Sequence, residues 1–179
     1  MWKISKLSDI CDISIGKTPS RSNPKFWDPN KNSKNIWLSI ADLTAVNGRI
    51  ISDSKEYISD KGAMLFKEVP KDTLIMSFKL TIGKLAFTGC NLWTNEAIAA
   101  LYIKDKNQLD KNFLYHYLSS MDWSEISKND IKVKGKTLNK SKLKALEINL
   151  PSIKEQKLIV DRIDKLFGEI DKAINLVKI

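Results

Sequence analysis

A Leu150-Pro151-Ser152 break, followed by apolar residues in alternating steps of three and four, constrains this chain more than any other stretch. Gln156, Ile159, Ile163, Leu166, Ile170, Ala173 and Val177 fall on that register, which is the seam one helix needs to pair with another. Proline is tolerated just ahead of a helix and not inside it, and Ser152 with Glu155 three residues on predicts a capping box. The spacing predicts one helix over 152–177, about 26 residues long and about 39 Å at ~1.5 Å per residue. Val160, Phe167 and Ile174 form a second apolar row, making the stripe wider than a two-helix seam requires. One row can pack on the helix's own domain and the other on a partner helix. The flanks mix Lys154, Lys157, Arg162, Lys165, Lys172 and Lys178 with Glu155, Asp161, Asp164, Glu169 and Asp171. That mixture suits helix pairing better than DNA contact.

Ahead of the break, Lys128 to Lys144 holds seven lysines and one acid, Asp130. The chain as a whole carries a formal net charge of +9 over 179 residues, which points to a polyanionic partner, nucleic acid before membrane. A lysine-rich surface that only aids solubility is the competing reading. The length fits one domain with an appendage and is enough to bury a core. Cys11 and Cys90 make neither a disulfide framework nor a metal spacing. Met1-Trp2-Lys3-Ile4-Ser5 leads into no signal peptide, and no apolar run is long enough to cross a bilayer. A cytoplasmic protein is expected.

Local patterns predict an α+β chain. Trp2 to Ile15 reads as a short amphipathic element with a helical turn near Ser8-Asp9-Ile10, and residues 16–24 as a polar loop broken by Pro19 and Pro24. Ile36–Ile40 reads as a buried strand and Ala41–Leu43 as the turn after it. Gly48–Ile51 and Glu56–Ile58 read as short edge strands, and Ser59–Met64 as a helical turn. Thr73–Phe78 is the strongest strand, with Gly83–Thr88 as its hairpin neighbour. Ala97–Ile103 is a further strand, Asp110–Met121 an amphipathic helix, and Leu146–Leu150 the last strand. Short strands first and helices mostly later argue for a globular α+β domain followed by the long helix.

No catalytic set emerges. Gly16-Lys17-Thr18 and Gly135-Lys136-Thr137 lack the glycine that a phosphate-binding loop needs five residues earlier, where Cys11 and Asp130 stand. Asn149-Leu150-Pro151-Ser152 lacks the second proline and aromatic of an adenine methyltransferase tetrapeptide. Glu155-Gln156-Lys157 lies on the heptad helix without the clustered carboxylates a nuclease uses to hold a divalent ion. His116, the single histidine, has no partner group to make it catalytic. What remains is polar loops rich in donors. Lys17, Thr18, Ser20 and Arg21 share one loop; Lys79, Thr81 and Lys84 surround the hairpin turn; Lys134, Lys136, Thr137, Asn139 and Lys140 lie in the basic segment. Lysine and arginine neutralise phosphates, and threonine and asparagine bond to phosphates or base edges. Any one such loop is more simply read as solvated; three on a chain of this charge favour DNA.

At these residues the chain resembles the specificity subunit of type I restriction-modification systems. The matching strings are Gly16–Ser20, Trp37–Leu43, Thr73–Lys84, Asn95–Ile98, Lys134–Asn139 and Leu150-Pro151 through Glu155-Gln156. Each is weak alone, while the ordered set spans nearly the whole chain and is specific. The resemblance implies a noncatalytic subunit, without cofactor or metal, that reads double-stranded DNA for methyltransferase (M) subunits and for a restriction (R) subunit when one is present. Residues 1–150 would form a DNA target recognition domain and 151–179 a dimerisation and spacer helix. Such subunits usually carry two recognition domains and two long helices, whereas this chain holds one of each and so looks like a half-subunit, natural or a fragment. Pairing through Ile159, Ile163, Leu166, Ile170, Ala173 and Val177 would make a homodimer reading two inverted half-sites. The alternative is an interaction module or decoy that occupies the methyltransferase without reading DNA.

Overall fold

Strands made of uninterrupted apolar residues need cover on both faces, and the central sheet of this protein is arranged to provide it. The computed structural model describes residues 2–128, 131–132, 135–136 and 138–177. The chain opens with β1 (Lys3–Lys6), a helical turn α1 (Leu7–Ile10) and β2 (Cys11–Ile15). After a polar loop come β3 (Ile36–Leu38), α2 (Ile40–Ala45), β4 (Ile50–Ile51), β5 (Glu56–Tyr57) and α3 (Asp60–Ala63). Then follow β6 (Leu74–Ser77), β7 (Leu85–Thr88), β8 (Trp93–Thr94), β9 (Ile98–Ile103) and α4 (Lys111–Ser120). The last elements are α5 (Trp123–Ile126), β10 (Ile131–Lys132), β11 (Gly135–Lys136), α6 (Lys140–Lys144), β12 (Glu147–Leu150) and α7 (Ile153–Val177). The α+β class and the long C-terminal helix are as the sequence predicts.

The five-stranded sheet has the order β2-β9-β6-β7-β4. Side chains alternate faces along each strand. Leu74 and Met76, Leu85 and Phe87, and Ala99 and Leu101 point into one core with Phe113, Leu114 and Leu118 of α4 and Val160 of α7. Ile75, Ala86, Ile98 and Ala100 point into a second core with Ile36, Leu38 and Leu43. The three-stranded sheet β5-β3-β8 therefore lies over the second face. Its own far side, with Trp37, Ile58 and Trp93, forms a third cluster.

Two local expectations change, and one pairing arrangement appears that local patterns do not report. The Trp2–Ile15 segment is strand, turn and strand rather than one element; β1 pairs antiparallel with β12, from Lys3 opposite Leu150 to Lys6 opposite Glu147. That pairing joins the two ends of the domain, and no local periodicity reports it. The Ile36 strand stops at Leu38, because Ser39 caps α2: the Ser39 hydroxyl accepts from Asp42 N at 3.3 Å, and the Asp42 carboxylate accepts from Ser39 N at 3.0 Å. Such a reciprocal cap contributes about 1 kcal/mol. Finally, β4 and β3 pair parallel with β7 and β8, an arrangement that only tertiary packing selects. The Ser152–Glu155 capping box is present as the sequence predicts, with Glu155 N donating to Ser152 Oγ at 3.3 Å and Ser152 N to the Glu155 carboxylate at 3.0 Å.

Candidate nucleic-acid interface

Strand register decides which loops meet. Ile15 pairs with Ala99, Ser77 with Ile98, and Met76 with Leu85. The C-terminal ends of β2 and β6 and the N-terminal ends of β7 and β9 thus share one end of the sheet. From that end leave the 16–24 loop, the 78–84 turn and the 95–97 approach to β9. Backbone bonds lock them together: Lys17 N donates to Thr94 O at 2.8 Å, Gly16 N to Ile98 O at 3.2 Å, and Phe78 N to Ala97 O at 3.0 Å. The basic segment joins through buried Leu138, whose N–H donates to Phe78 O at 2.9 Å. Segments far apart in sequence are brought to one place.

Glu96 is the electrostatic centre of this end. The Thr18 hydroxyl donates to its carboxylate. Burial by itself would raise the Glu96 carboxyl, but the Thr18 bond, its own backbone N–H and the Lys79 and Arg21 cations outweigh it and hold the carboxyl below its ordinary value. The Glu96 carboxylate thus accepts the Thr18 hydroxyl and lies within the field of Lys79 and Arg21. The signal in the sequence is a single acid, Glu96, between the donor-rich hairpin turn and the β9 strand.

Arg21 has an internal role. Its two guanidinium nitrogens donate to the two oxygens of Glu56, the Nη2 bond at 3.0 Å, and its Cζ stands 3.9 Å from the Trp27 ring centroid and 4.8 Å from that of Trp37. Trp27 Nε1 donates to Ser20 O at 3.1 Å and Trp37 Nε1 to Lys17 O at 3.0 Å, while Ser20 and Ser22 share a hydroxyl bond at 2.9 Å. The tryptophans hold this loop in shape, and Glu56 competes with any ligand for Arg21.

The 78–84 turn is equally fixed. Leu80 and Gly83 adopt φ of 64° and 84°, in the region that glycine tolerates best. A Cβ at Gly83 would lie 2.1 Å from Trp123 Cδ1. The Ser77 hydroxyl donates to Thr81 O and accepts from Lys84 N at 3.0 Å. This scaffold leaves Lys79 half-buried and Thr81 and Lys84 exposed. Asn139 caps α6, its side-chain oxygen accepting from Lys142 N at 2.8 Å, and Lys140 is exposed beside it. Lys134 and Thr137 lie outside the described residues, and for Lys136 the backbone alone is described, in β11.

The C-terminal helix is seated near the opposite end of the sheet, just beyond the last residue of β9. Gln156 is 0% exposed, accepts from Asp110 N at 2.8 Å, and donates to Gln108 O at 2.8 Å and Pro151 O at 2.9 Å. It therefore belongs to the domain contact and not to the outward seam on which its spacing places it. Val160 is buried and Ile159 half-buried on the main core. Asp164 receives Arg49 Nη2 at 2.7 Å and lies 3.1 Å from His116 Nε2. Ile163 is half-buried, and every residue from 164 to 176 is exposed. The apolar stripe nevertheless continues, with Leu166 59% exposed, Ile170 51% exposed, and Phe167, Ala173 and Ile174 exposed beside them. The Val177 side chain lies outside the described residues.

Among the described residues, no group of three or more His, Cys, Asp or Glu could hold a metal ion, and no helix is long and apolar enough to cross a membrane. The fold and its loop cluster define an α+β module whose donor-rich loops share one end, with an apolar helix face left exposed among the described residues. Residues 1–177 match the family described as type I restriction modification DNA specificity domain, and the chain belongs to that family. It is 29% identical over 163 residues to the type I restriction enzyme MjaIX specificity subunit of Methanocaldococcus jannaschii, covering 88% of this chain and 36% of that protein. The fold is shared with the HsdS subunit from Thermoanaerobacter tengcongensis, at a TM-score of 0.73 and 20% identity, covering 98% of this chain and 39% of that one. A chain from a structural study of type I R-M complex assembly and conformational transition has a TM-score of 0.76 at 21% identity, over 96% of this chain and 40% of that one. The chain thus spans well under half the length of these relatives.

Proposed function

We propose that this chain is a noncatalytic DNA-reading unit of a type I restriction-modification complex. It recognises one half-site and directs partner M subunits, and an R subunit where one is present, to a bipartite target. The observation that carries the reading is the convergence of the 16–24, 78–84 and 138–140 segments on one end of the sheet, in a chain of the DNA specificity family. Lys17, Thr18, Ser20, Lys79, Thr81, Lys84, Asn139 and Lys140, with Lys134, Lys136 and Thr137, are assigned to DNA contact, and Arg21, held by Glu56, to shaping the 16–24 loop. Lysines serve the phosphates and the short polar side chains the base edges. Residues 1–150 act as the recognition domain and 151–179 as the spacer and assembly helix.

The uncovered stripe on α7 supports pairing with a second copy. Its 25 residues span about 37 Å, close to the ~34–36 Å turn over which two-fold readers space their half-sites. The test is to express the chain with its M subunit and map methylated positions genome-wide. An inverted bipartite motif supports both recognition and homodimer; a nonpalindromic motif sinks the homodimer, and no new methylation sinks the reading. Ile170→Glu, at an exposed seam position, is expected to give monomers by analytical ultracentrifugation with circular dichroism unchanged.

A further inference from the structure

The β2 edge of the five-stranded sheet carries a groove that the loop set does not include. β2 is one of the sheet's two edge strands, and a groove of about 550 Å³ runs along it, with Lys17, Lys67 and Lys140 from three separate segments in its walls and Tyr102 beside them. It adjoins a pocket of about 200 Å³ that shares the Ser14–Lys17 stretch and Lys67 and is closed by Thr94. Thr94, 3% exposed, and Tyr102 supply the two buried side-chain polar atoms that have no hydrogen-bond partner among the described residues. Buried polar groups are almost always paired, so an orphaned hydroxyl on Tyr102 of the groove and another on Thr94 of the adjoining pocket call for a ligand that brings acceptors. Burial raises the Tyr102 phenol above its ordinary range, so it stays protonated and able to donate. A Cβ on Gly16 would fall 2.3 Å from Thr94 Oγ1; glycine there lets β2 end this close to the hydroxyl.

The charge has the matching sign. Among the described residues none of the three lysines is in an ion pair, whereas Asp12, the acid in the groove, lies 3.7 Å from Lys104. We infer that this groove binds consecutive phosphates of a DNA strand, with Lys17, Lys67 and Lys140 neutralising them and the Thr94 and Tyr102 hydroxyls donating to their oxygens. The inference rests on the DNA-reading function above and adds Lys67, Thr94 and Tyr102 to it. Lysines beside an edge strand also discourage edge-to-edge pairing, but that role leaves the orphaned hydroxyls unexplained.

The experiment is equilibrium binding of the full chain to a labelled duplex of mixed sequence between about 50 and 200 mM salt. Lys67→Gln is expected to weaken binding by about three- to tenfold for every duplex and to reduce the log–log salt slope by about 0.9, the value of one phosphate contact. Lys67→Arg should restore the slope. Thr94→Val and Tyr102→Phe should weaken binding and leave the slope unchanged. Lys106→Gln, beyond the opposite end of β9, should match wild type. Wild-type affinity and slope in Lys67→Gln would overturn the site while leaving the DNA-reading function standing, and aggregation of that variant would then identify an edge guard. Stabilisation of wild type but not Lys67→Gln by inorganic phosphate, with DNA binding equal in both, would overturn it in favour of a free anion. Absence of salt-dependent binding by wild type would overturn this site and the proposed function together.

Discussion

Arg49 Nη2 donates to Asp164 Oδ1 at 2.7 Å across 115 residues of sequence, at the point where the C-terminal helix parts from the domain. Before this pair the helix stripe is covered by Val160 and Ile159 on the core; after it, Leu166 and Ile170 are in solvent. Arg49 also lies 5.2 Å over the Tyr115 ring, so the contact binds the helix to α4 as well as to the start of β4. A half-exposed charge-assisted pair of this kind contributes modestly. A double-mutant cycle of Arg49→Ala and Asp164→Ala by urea denaturation should give a coupling of about 0.5–1 kcal/mol. Additive effects would remove the pair from the helix seat.

His116 makes the same junction sensitive to acid. Burial and the nearby Arg49 guanidinium lower its imidazole below the ordinary 6.5, and the Asp164 bond and charge only partly offset them. The unfolded chain then binds a proton that the folded chain resists. This contribution is complete above about pH 6.5 and is lost as pH falls through the folded value. The Arg49 bond holds the Asp164 carboxyl below its ordinary 3.8, so its contribution is lost only in stronger acid. Between about pH 7.5 and 5.5, wild type should lose up to about 1 kcal/mol that His116→Gln does not lose, read from urea midpoints at the two pH values.

Gln156 closes three backbone groups at once. Gln156→Ala would leave Asp110 N, Gln108 O and Pro151 O without this partner. The cost should be about 2–4 kcal/mol, because orphaned buried polar groups forfeit their desolvation. Gln156→Glu, which keeps the shape and one acceptor, should also destabilise, since it adds a buried charge and removes the donor. Thermal melts of both variants check this, and a wild-type melt for either would show that water replaces the amide.

Gly83 fixes the 78–84 turn. Gly83→Ala meets both a φ of 84° and a Cβ 2.1 Å from Trp123 Cδ1, so the turn must move. A loss of about 1–3 kcal/mol is expected, together with a change in the methylated motif, because the turn carries Thr81, assigned to base edges. Leu80→Gly, at a φ of 64°, should be neutral or slightly stabilising.

The amphipathic helices, the strong apolar strands and the Ser152–Glu155 cap were legible because their causes are local: period, β-branching and a cap within four residues. The same logic marked three donor-rich loops. It could not show that Thr18 donates to Glu96, that Arg21 is held by Glu56, or that Lys67 faces the groove with Lys17 and Lys140. Each of these depends on strand order and register, which are set by contacts between residues far apart in the chain.

By itself, then, the sequence determined a basic α+β domain of this family with a C-terminal helix whose apolar stripe is too wide for one use. Only the tertiary structure decided how that stripe is divided. Gln156, Val160 and Ile159 meet the domain because β1 and β12 pair beside them and bring the start of α7 against α4. Beyond Asp164 the domain surface ends, and the same periodic pattern is left in water. Periodicity makes a face apolar; which surfaces lie within reach decides what that face covers.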